Sequence, residues 1–383
     1  MEERVIYMKG GDVLRESEKL FPKAGDLPDG GPDKFLLSVL HFTDNKRLFL
    51  VGEAQVPGRR AVSGRQVAAY VLRPAGLGRV ARRLKYFASS ARFFFDALRF
   101  RPSKILCGFE GAFGLLALLV ARLSGAQFVF LAHCALAIDS LSSATKKANS
   151  ILCRHSDLVI VHGPFLHDQA AMLGARADKI VEWNNGLDES DRRFLASIES
   201  THATASTILY FGRMEEDKGI FDLLEAFNAL PQNANLKLQF IGGGSALERL
   251  RATAAGSAVR ENIDVVGHVR FEDMFSYIVN ASVVVTPTRS TFAEGLCQSV
   301  IESFYAGKPV IAPDFGPFPY IVKDGSNGLL FAHDSVASLT AALHKYFADE
   351  NLRTRVHAGA AASGQEHMNP SLTFTQALGK VFQ

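Results

Sequence analysis

Two glutamates set the first chemical question. Glu294 and Glu302 stand eight residues apart in Pro-Thr-Arg-Ser-Thr-Phe-Ala-Glu-Gly-Leu-Cys-Gln-Ser-Val-Ile-Glu, which runs from Pro287 to Glu302. A helix over Gly295–Ala306, stopped by Gly307 and Pro309, would set them ~12 Å apart along its axis and about 80° apart around it. That separation is too long for a shared proton. It suits two grips on one long ligand, with the ligand's phosphates at the helix N-terminus, where free N–H groups favour anions. The same two charges also suit a solvated helix, with Glu294 favoured by the macrodipole.

Upstream, Gly212-Arg213-Met-Glu-Glu-Asp-Lys218-Gly219 follows the apolar run Thr207-Ile-Leu-Tyr-Phe211. Arginine offers a planar fork and lysine a compact charge, a pair able to neutralise a diphosphate. The loop lacks the P-loop signature. Gly242-Gly243-Gly244 and Gly267-His268 end the next two apolar runs, which suits a nucleotide base laid along glycine-ended strands with backbone contacts.

These residues need strands and helices to hold them. In the second half we expect strands at Thr207–Phe211, Leu236–Ile241, Ile263–Val266 and Ser282–Thr286, with helices at Ile220–Leu230, from about Ala246, and at Phe271–Val279. Helices at Ser335–Ala348, Asn351–Ala362 and Pro370–Phe382 end the chain. In the first half, strands are expected at Val5–Met8, Phe35–His41, Arg47–Val51 and Val67–Leu72. From Lys104 onward strands and helices alternate up to Trp183. Alternation of this kind means doubly wound parallel sheets, with ligands beyond the carboxyl ends of the strands. His133 has that address, directly after Phe128-Val-Phe-Leu-Ala132, and Gly10-Gly11 follow the first strand. Each also has a plain structural reading, as a packed histidine and a turn.

The 383 residues, 48% hydrophobic and 21% charged, suffice for two globular domains. The net charge of +3 hides a basic first half and an acidic second half. Cys107, Cys134, Cys153 and Cys297 are widely spaced, as for buried thiols rather than a disulfide or zinc framework. The N-terminus lacks the apolar segment of a signal peptide, and the longest apolar run, Gly111–Ala121, is too short to span a bilayer. A cytoplasmic location follows as the expectation.

Arg79–Phe100 is expected to be one helix. Val80, Leu84, Phe87, Ala91, Phe94 and Leu98 form its core stripe, while Arg79, Arg82, Arg83 and Arg92 share the opposite face with Tyr86, Phe93 and Phe100. Basic residues among aromatics suit an anionic membrane surface, on the inner face of the cytoplasmic membrane. The alternative is a helix buried on two sides, its arginines snorkelling. No nucleic-acid-binding module accompanies the patch.

The second half resembles the donor domain of retaining GT-B glycosyltransferases of the family 4 type (glycosyl transferases group 1). The features that carry the resemblance are Gly212-Arg213…Lys218-Gly219, Gly242-Gly243-Gly244, Gly267 and Glu294-x7-Glu302. Ala306-Gly-Lys-Pro-Val-Ile-Ala312 and Asp324-Gly-Ser-Asn-Gly-Leu-Leu330 extend it. The first half is similar more loosely, through Gly10-Gly11, His133 and Asn185-Gly186-Leu187-Asp188. One departure is Gly316-Pro-Phe-Pro-Tyr320, where the family usually has Pro-Glu.

The resemblance implies an α/β GT-B fold of two Rossmann-like domains facing across a cleft. Residues 1–190 would bind the acceptor, with a linker to about 204. Residues 205–365 would bind the donor, and 366–383 would cross back to the first domain. It implies a retaining, metal-independent, hexosyltransferase-like enzyme with no permanently bound cofactor and a UDP-, GDP- or ADP-linked sugar as donor. The acceptor would be a glycan or lipid-linked hydroxyl. Arg213 and Lys218 would hold the diphosphate and Glu302 the ribose. Glu294, with the N–H groups of Gly295 and Leu296, would hold the sugar and nearby phosphate, and His133 would approach that sugar from the first domain. Gly10, Gly11, Gly267 and His268 would complete the donor site. A nucleotide-sugar epimerase, a hydrolase or a non-catalytic binding subunit are the alternatives.

Overall fold

The computed structural model describes residues 3–9, 34–43, 47–53, 58–62, 65–70, 78–187, 189–198, 206–231 and 236–383. Gly10, Gly11 and Asp188 lie outside them. The chain divides into two compact units, Met1–Trp183 with Leu372–Gln383, and Asn184–Ser371.

The first unit runs β1 (Arg4–Met8), α1 (Lys34–Phe42), β2 (Arg47–Glu53), β3 (Gly58–Val62), β4 (Arg65–Tyr70), α2 (Arg79–Phe100), β5 (Lys104–Cys107), α3 (Gly111–Ser124), β6 (Gln127–Ala132), α4 (Ser143–His155), β7 (Leu158–His162), α5 (Pro164–Met172) and β8 (Ile180–Trp183). Its sheet has the order β3-β4-β2-β1-β5-β6-β7-β8, parallel except for β3, which pairs antiparallel with β4. The central strands are apolar at nearly every position because helices cover both faces; Val5, Ile6, Phe128, Val129 and Phe130 are wholly buried.

The second unit carries α6 (Glu189–Ser197), β9 (Thr207–Phe211), α7 (Ile220–Asn228), β10 (Lys237–Ile241), α8 (Leu247–Ala255), β11 (Ile263–Gly267), α9 (Phe271–Asn280), β12 (Val283–Val285), α10 (Gln298–Tyr305), β13 (Val310–Pro313), α11 (Phe318–Ile321), β14 (Gly328–Phe331), α12 (Val336–Ala348) and α13 (Glu350–Met368). A final helix, α14 (Phe374–Gly379), belongs to the first unit. The second sheet is parallel throughout, in the order β11-β10-β9-β12-β13-β14. Along β9, Ile208 and Tyr210 enter the core shared with α7, α8 and α12, while Leu209 and Phe211 enter the core shared with α9 and α10. Alternation into two buried faces makes the sheet doubly wound. Strand order reverses between β9 and β12, so the loops after these two strands diverge around a crevice.

Four sequence expectations need correction. Phe35–His41 is not a strand but lies within α1. A short apolar run reads alike as a strand or a buried helix. Here Leu36 and Val39, three residues apart, are both wholly buried. The deciding partner comes from the far end of the chain. Phe374, Ala377 and Leu378 of α14 share the core of Leu36 and Val39, Phe35 meets Phe374 at 5.0 Å, and Ser38 Oγ lies 2.8 Å from Thr375 Oγ1. The α14 N-terminus is fixed by a capping box of Thr373 and Gln376.

The faces of α2 are reversed. Phe93, Ala97 and Phe100 are buried, whereas Val80, Leu84 and Phe87 are exposed. The C-terminal half of the helix meets the unit through Phe93 against Phe113 at 4.8 Å and Tyr70 Oη donating to Asp96 at 2.8 Å. Periodicity finds apolar stripes but does not say which one has a partner.

The helix after β12 starts at Gln298, not Gly295, because Cys297 is its extended N-cap with φ −80° and ψ 103°. Glu294 therefore sits on the preceding loop, and the angular argument that placed both glutamates on one helix does not hold. Gly307 does end it, with φ 65°. Of the four cysteines, Cys134 is exposed rather than buried.

Candidate functional site

The loop after β9 is shaped by close backbone contacts. Gly219 has φ 69°, and a Cβ there would lie 1.9 Å from the Pro287 carbonyl oxygen. Gly242 has φ 133°, and its Cβ would lie 1.8 Å from the Gly212 carbonyl oxygen. Glycine is needed at both for conformation and for space. The Gly212 N–H donates to the Ile241 carbonyl (3.0 Å) and the Gly242 N–H to the Gly267 carbonyl (2.8 Å). The glycines that end these strands thus hold neighbouring loops together, a role their sequence alone did not separate from ligand contact.

Further bonds join the β9 and β12 loops. The Arg289 N–H donates to the Asp217 carbonyl at 2.9 Å, and the Arg289 guanidinium forks onto Asp222 at 2.7 and 2.5 Å. Tyr210 Oη donates to the Arg213 carbonyl at 2.6 Å, pinning the first residue of the basic pair. Arg289 and Asp222 together form a bidentate, charge-assisted brace beneath the site.

Above that brace, Lys218 Nζ lies 2.5 Å from Glu294 Oε2, with the two side chains only 13% and 12% exposed. The Phe292 ring lies beneath both cations, its centroid 3.8 Å from Lys218 Nζ and 5.1 Å from Arg213 Cζ. Aromatic faces attract cations, so Phe292 fixes where the two charges rest. Glu294 adds a coulombic push on the buried Cys297 thiol, whose pKa burial raises to about 11. This cysteine is an inert wall.

A cavity of about 730 Å³ opens over this group. Arg213, Lys218, His268, Glu294, Leu296 and Glu302 all line it. Gly295 and Gly267 adjoin these residues in the chain. Its remaining walls mix apolar side chains with Thr286, Thr288, Gln298 and Ser299. Gln298 and Ser299 open α10, so the helix N-terminus faces the cavity even though Glu294 is not on the helix. The volume, a few convergent charges and a position at the strand-order reversal are the attributes of a ligand site in this sheet type.

His133 is held elsewhere. It follows β6 in the first unit, half-buried, with its ring 5.3 Å from Phe35 and 6.1 Å from both Trp183 and Phe374. Burial, with Lys9 adding a smaller effect, lowers its pKa to about 4. His162 stacks on Trp183 at 3.9 Å, and burial lowers its pKa to about 3. Both imidazoles are therefore neutral near pH 7. Gly10 and Gly11 fall outside the described residues. Sequence reasoning missed Phe292, Arg289 and Asp222; the only signal for the brace was an acid and a base on two neighbouring loops.

Residues 192–362 match the family model of glycosyl transferases group 1. A lipopolysaccharide core biosynthesis glycosyltransferase of Rhizobium meliloti is 26% identical over 208 residues, 53% of this chain and 57% of that protein. The chain spans 18–57% of the length of curated relatives it matches. Among solved structures, a sucrose-phosphate synthase from Thermosynechococcus elongatus aligns with a TM-score of 0.68 at 17% identity, over 100% of this chain and 98% of that one. HepE of Anabaena in complex with UDP-glucose aligns with a TM-score of 0.65 at 15% identity, over 99% and 98% of the two chains. The fold is GT-B.

Proposed function

We propose that this protein transfers a sugar from a nucleoside diphosphate sugar to the hydroxyl of a glycan or lipid-linked acceptor, with retention at the anomeric carbon. The observation that carries the reading is the meeting of Arg213 and Lys218 over Phe292, with Lys218 paired to Glu294, in a cavity at the strand-order reversal of the unit that matches the group 1 family model.

In the transfer, the bond from the anomeric carbon to the diphosphate oxygen breaks and its electron pair stays on the diphosphate. The acceptor oxygen bonds to the same face of the carbon, and its proton passes to the departing phosphate oxygen. Arg213 and Lys218 stabilise the charge that develops on the diphosphate, the role a divalent metal fills in other designs. The α10 N-terminus, with Gly295 and Leu296 ahead of it, faces the same phosphates. Glu302 accepts from the ribose hydroxyls, and Gly267 and His268 flank the base. Glu294 orients the sugar hydroxyls once the diphosphate has taken Lys218 from it. A UDP-sugar is the first donor to try, because the HepE structure contains UDP-glucose.

The test is to incubate the protein with UDP-, GDP- and ADP-sugars and measure nucleoside diphosphate release with and without lipid-linked acceptors. Acceptor-dependent release, with the product anomer matching the donor, supports the reading. Release that ignores every acceptor identifies a hydrolase, and an inverted product removes the retaining mechanism.

A further inference from the structure

Among the described residues no helix is long and apolar enough to cross a membrane. Yet α2 leaves large apolar side chains in solvent. Val80, Leu84, Phe87 and Phe95 are 72%, 66%, 71% and 68% exposed. With exposed Ala91 they are spaced 4, 3, 4 and 4 residues apart, one stripe within an arc of about 80° and ~22 Å long. The buried residues Phe93, Ala97 and Phe100 lie on the far side of the helix. The stripe is thus a second apolar face, opposite the one that holds the helix to its unit.

Its flanks carry charge of one sign. Arg83 lies on one side, and Lys85, Arg92 and Arg99 on the other, all exposed. The helix has six basic residues and one acidic, Asp96, which accepts from Tyr70 Oη on the protein side and lies 3.9 Å from the exposed Arg92. A protein partner would have to match a narrow stripe with acids along both edges. A lipid bilayer matches it with acyl chains below and anionic headgroups on either side.

We infer that the Val80–Leu84–Phe87–Ala91–Phe95 stripe seats α2 on an anionic lipid surface, with the flanking Arg83, Lys85, Arg92 and Arg99 engaging its headgroups. The inference stands on the helix itself and not on sugar transfer. Taken with the transfer reading, it places the acceptor at a membrane surface.

The test is co-sedimentation of the full chain with vesicles of phosphatidylcholine alone, or of equal parts phosphatidylcholine and phosphatidylglycerol. The expected result is binding to the anionic vesicles only, weakened by salt. Leu84→Ser with Phe87→Ser should lower partitioning by more than about tenfold. Arg83→Gln with Lys85→Gln should lower it by at least about fivefold. These side chains are exposed, so the thermal midpoint should not move; buried Phe93→Ala lowers that midpoint and is the contrast. Equal binding to neutral vesicles, or no loss in the Leu84/Phe87 variant, overturns the inference. Self-association without lipid that the same variant abolishes also overturns it, since a second copy would then cover the stripe. Nucleotide titration separates the two readings: donor binding without vesicle binding removes only the lipid surface, and the reverse removes only sugar transfer.

Discussion

Lys218 and Glu294 are 76 residues apart in the chain, and their Nζ and Oε2 atoms lie 2.5 Å apart. The loops after β9 and β12 bring them together, so the sheet's strand order makes the pair. A cation held by a carboxylate is not available to a diphosphate until it changes partner. Glu294 then has two states: it neutralises Lys218 in the empty site, and it holds sugar hydroxyls in the filled one. Glu294→Gln keeps the shape and removes the competing charge. It should lower transfer by on the order of 10²-fold or more in kcat, the scale for losing one preorganised transition-state contact. Steady-state kinetics at saturating donor checks this, and unchanged turnover removes Glu294 from the chemistry.

Phe292 should matter through its ring rather than its bulk. Phe292→Leu loses the aromatic face beneath Lys218 and Arg213, worth about 1 kcal/mol in a partly desolvated setting, or about fivefold in donor affinity. Phe292→Tyr should restore it. Calorimetric titration of the donor nucleotide distinguishes the two, and equal loss in both variants would reduce the ring to packing.

Gly219 and Gly316 both have positive φ, 69° and 58°, but only Gly219 faces a backbone, with nothing within 4 Å of a Cβ at Gly316. Gly219→Ala should cost more than the 1–3 kcal/mol of backbone strain alone, roughly, and should lower the melting temperature by at least about 4 °C. Gly316→Ala carries the strain without the collision and should shift it less. Paired thermal melts make the comparison; equal shifts would mean that the Pro287 contact relaxes freely.

Two imidazoles, half-buried His133 and buried His162, predict an acid limit for the first unit. His133 and His162 have folded-state pKa values lowered to about 4 and about 3, against 6.5 for the free side chain. Between those limits the unfolded chain binds more protons than the folded one, so stability rises with pH in that window. The unit should be at its full stability from these groups above about pH 6.5 and lose it progressively toward pH 3. His162→Phe keeps a ring against Trp183 and should flatten the acid side of a melting-temperature profile. A profile unchanged by the substitution would mean that His162 does not titrate on unfolding.

The fold was legible where local signals and tertiary demands agree. The alternation expected from Lys104 to Trp183 is present, as in the helix Gly111–Ser124 and the strand Gln127–Ala132, because apolar periodicity, length and the glycine past the helix all point one way. Phe35–His41 was illegible because its helical state depends on α14, over three hundred residues downstream. The stripe of α2 was seen but assigned to the wrong side, since burial belongs to partners and not to periodicity. At the site, residue types and order marked Arg213, Lys218, Glu294 and Glu302, and all four line one cavity. The Lys218–Glu294 pair and the Phe292 ring beneath it were not readable, because both arise only when two separate loops meet.

Donor binding at the Lys218–Glu294 pair is tested most directly by titrating UDP, GDP and ADP into the wild-type chain, Lys218→Ala and Glu294→Gln. One nucleotide should bind the wild type, Lys218→Ala should weaken it by about tenfold or more, and Glu294→Gln should leave it as tight or tighter because the competing carboxylate is gone. No binding by any of the three nucleotides, or binding indifferent to Lys218, would contradict it.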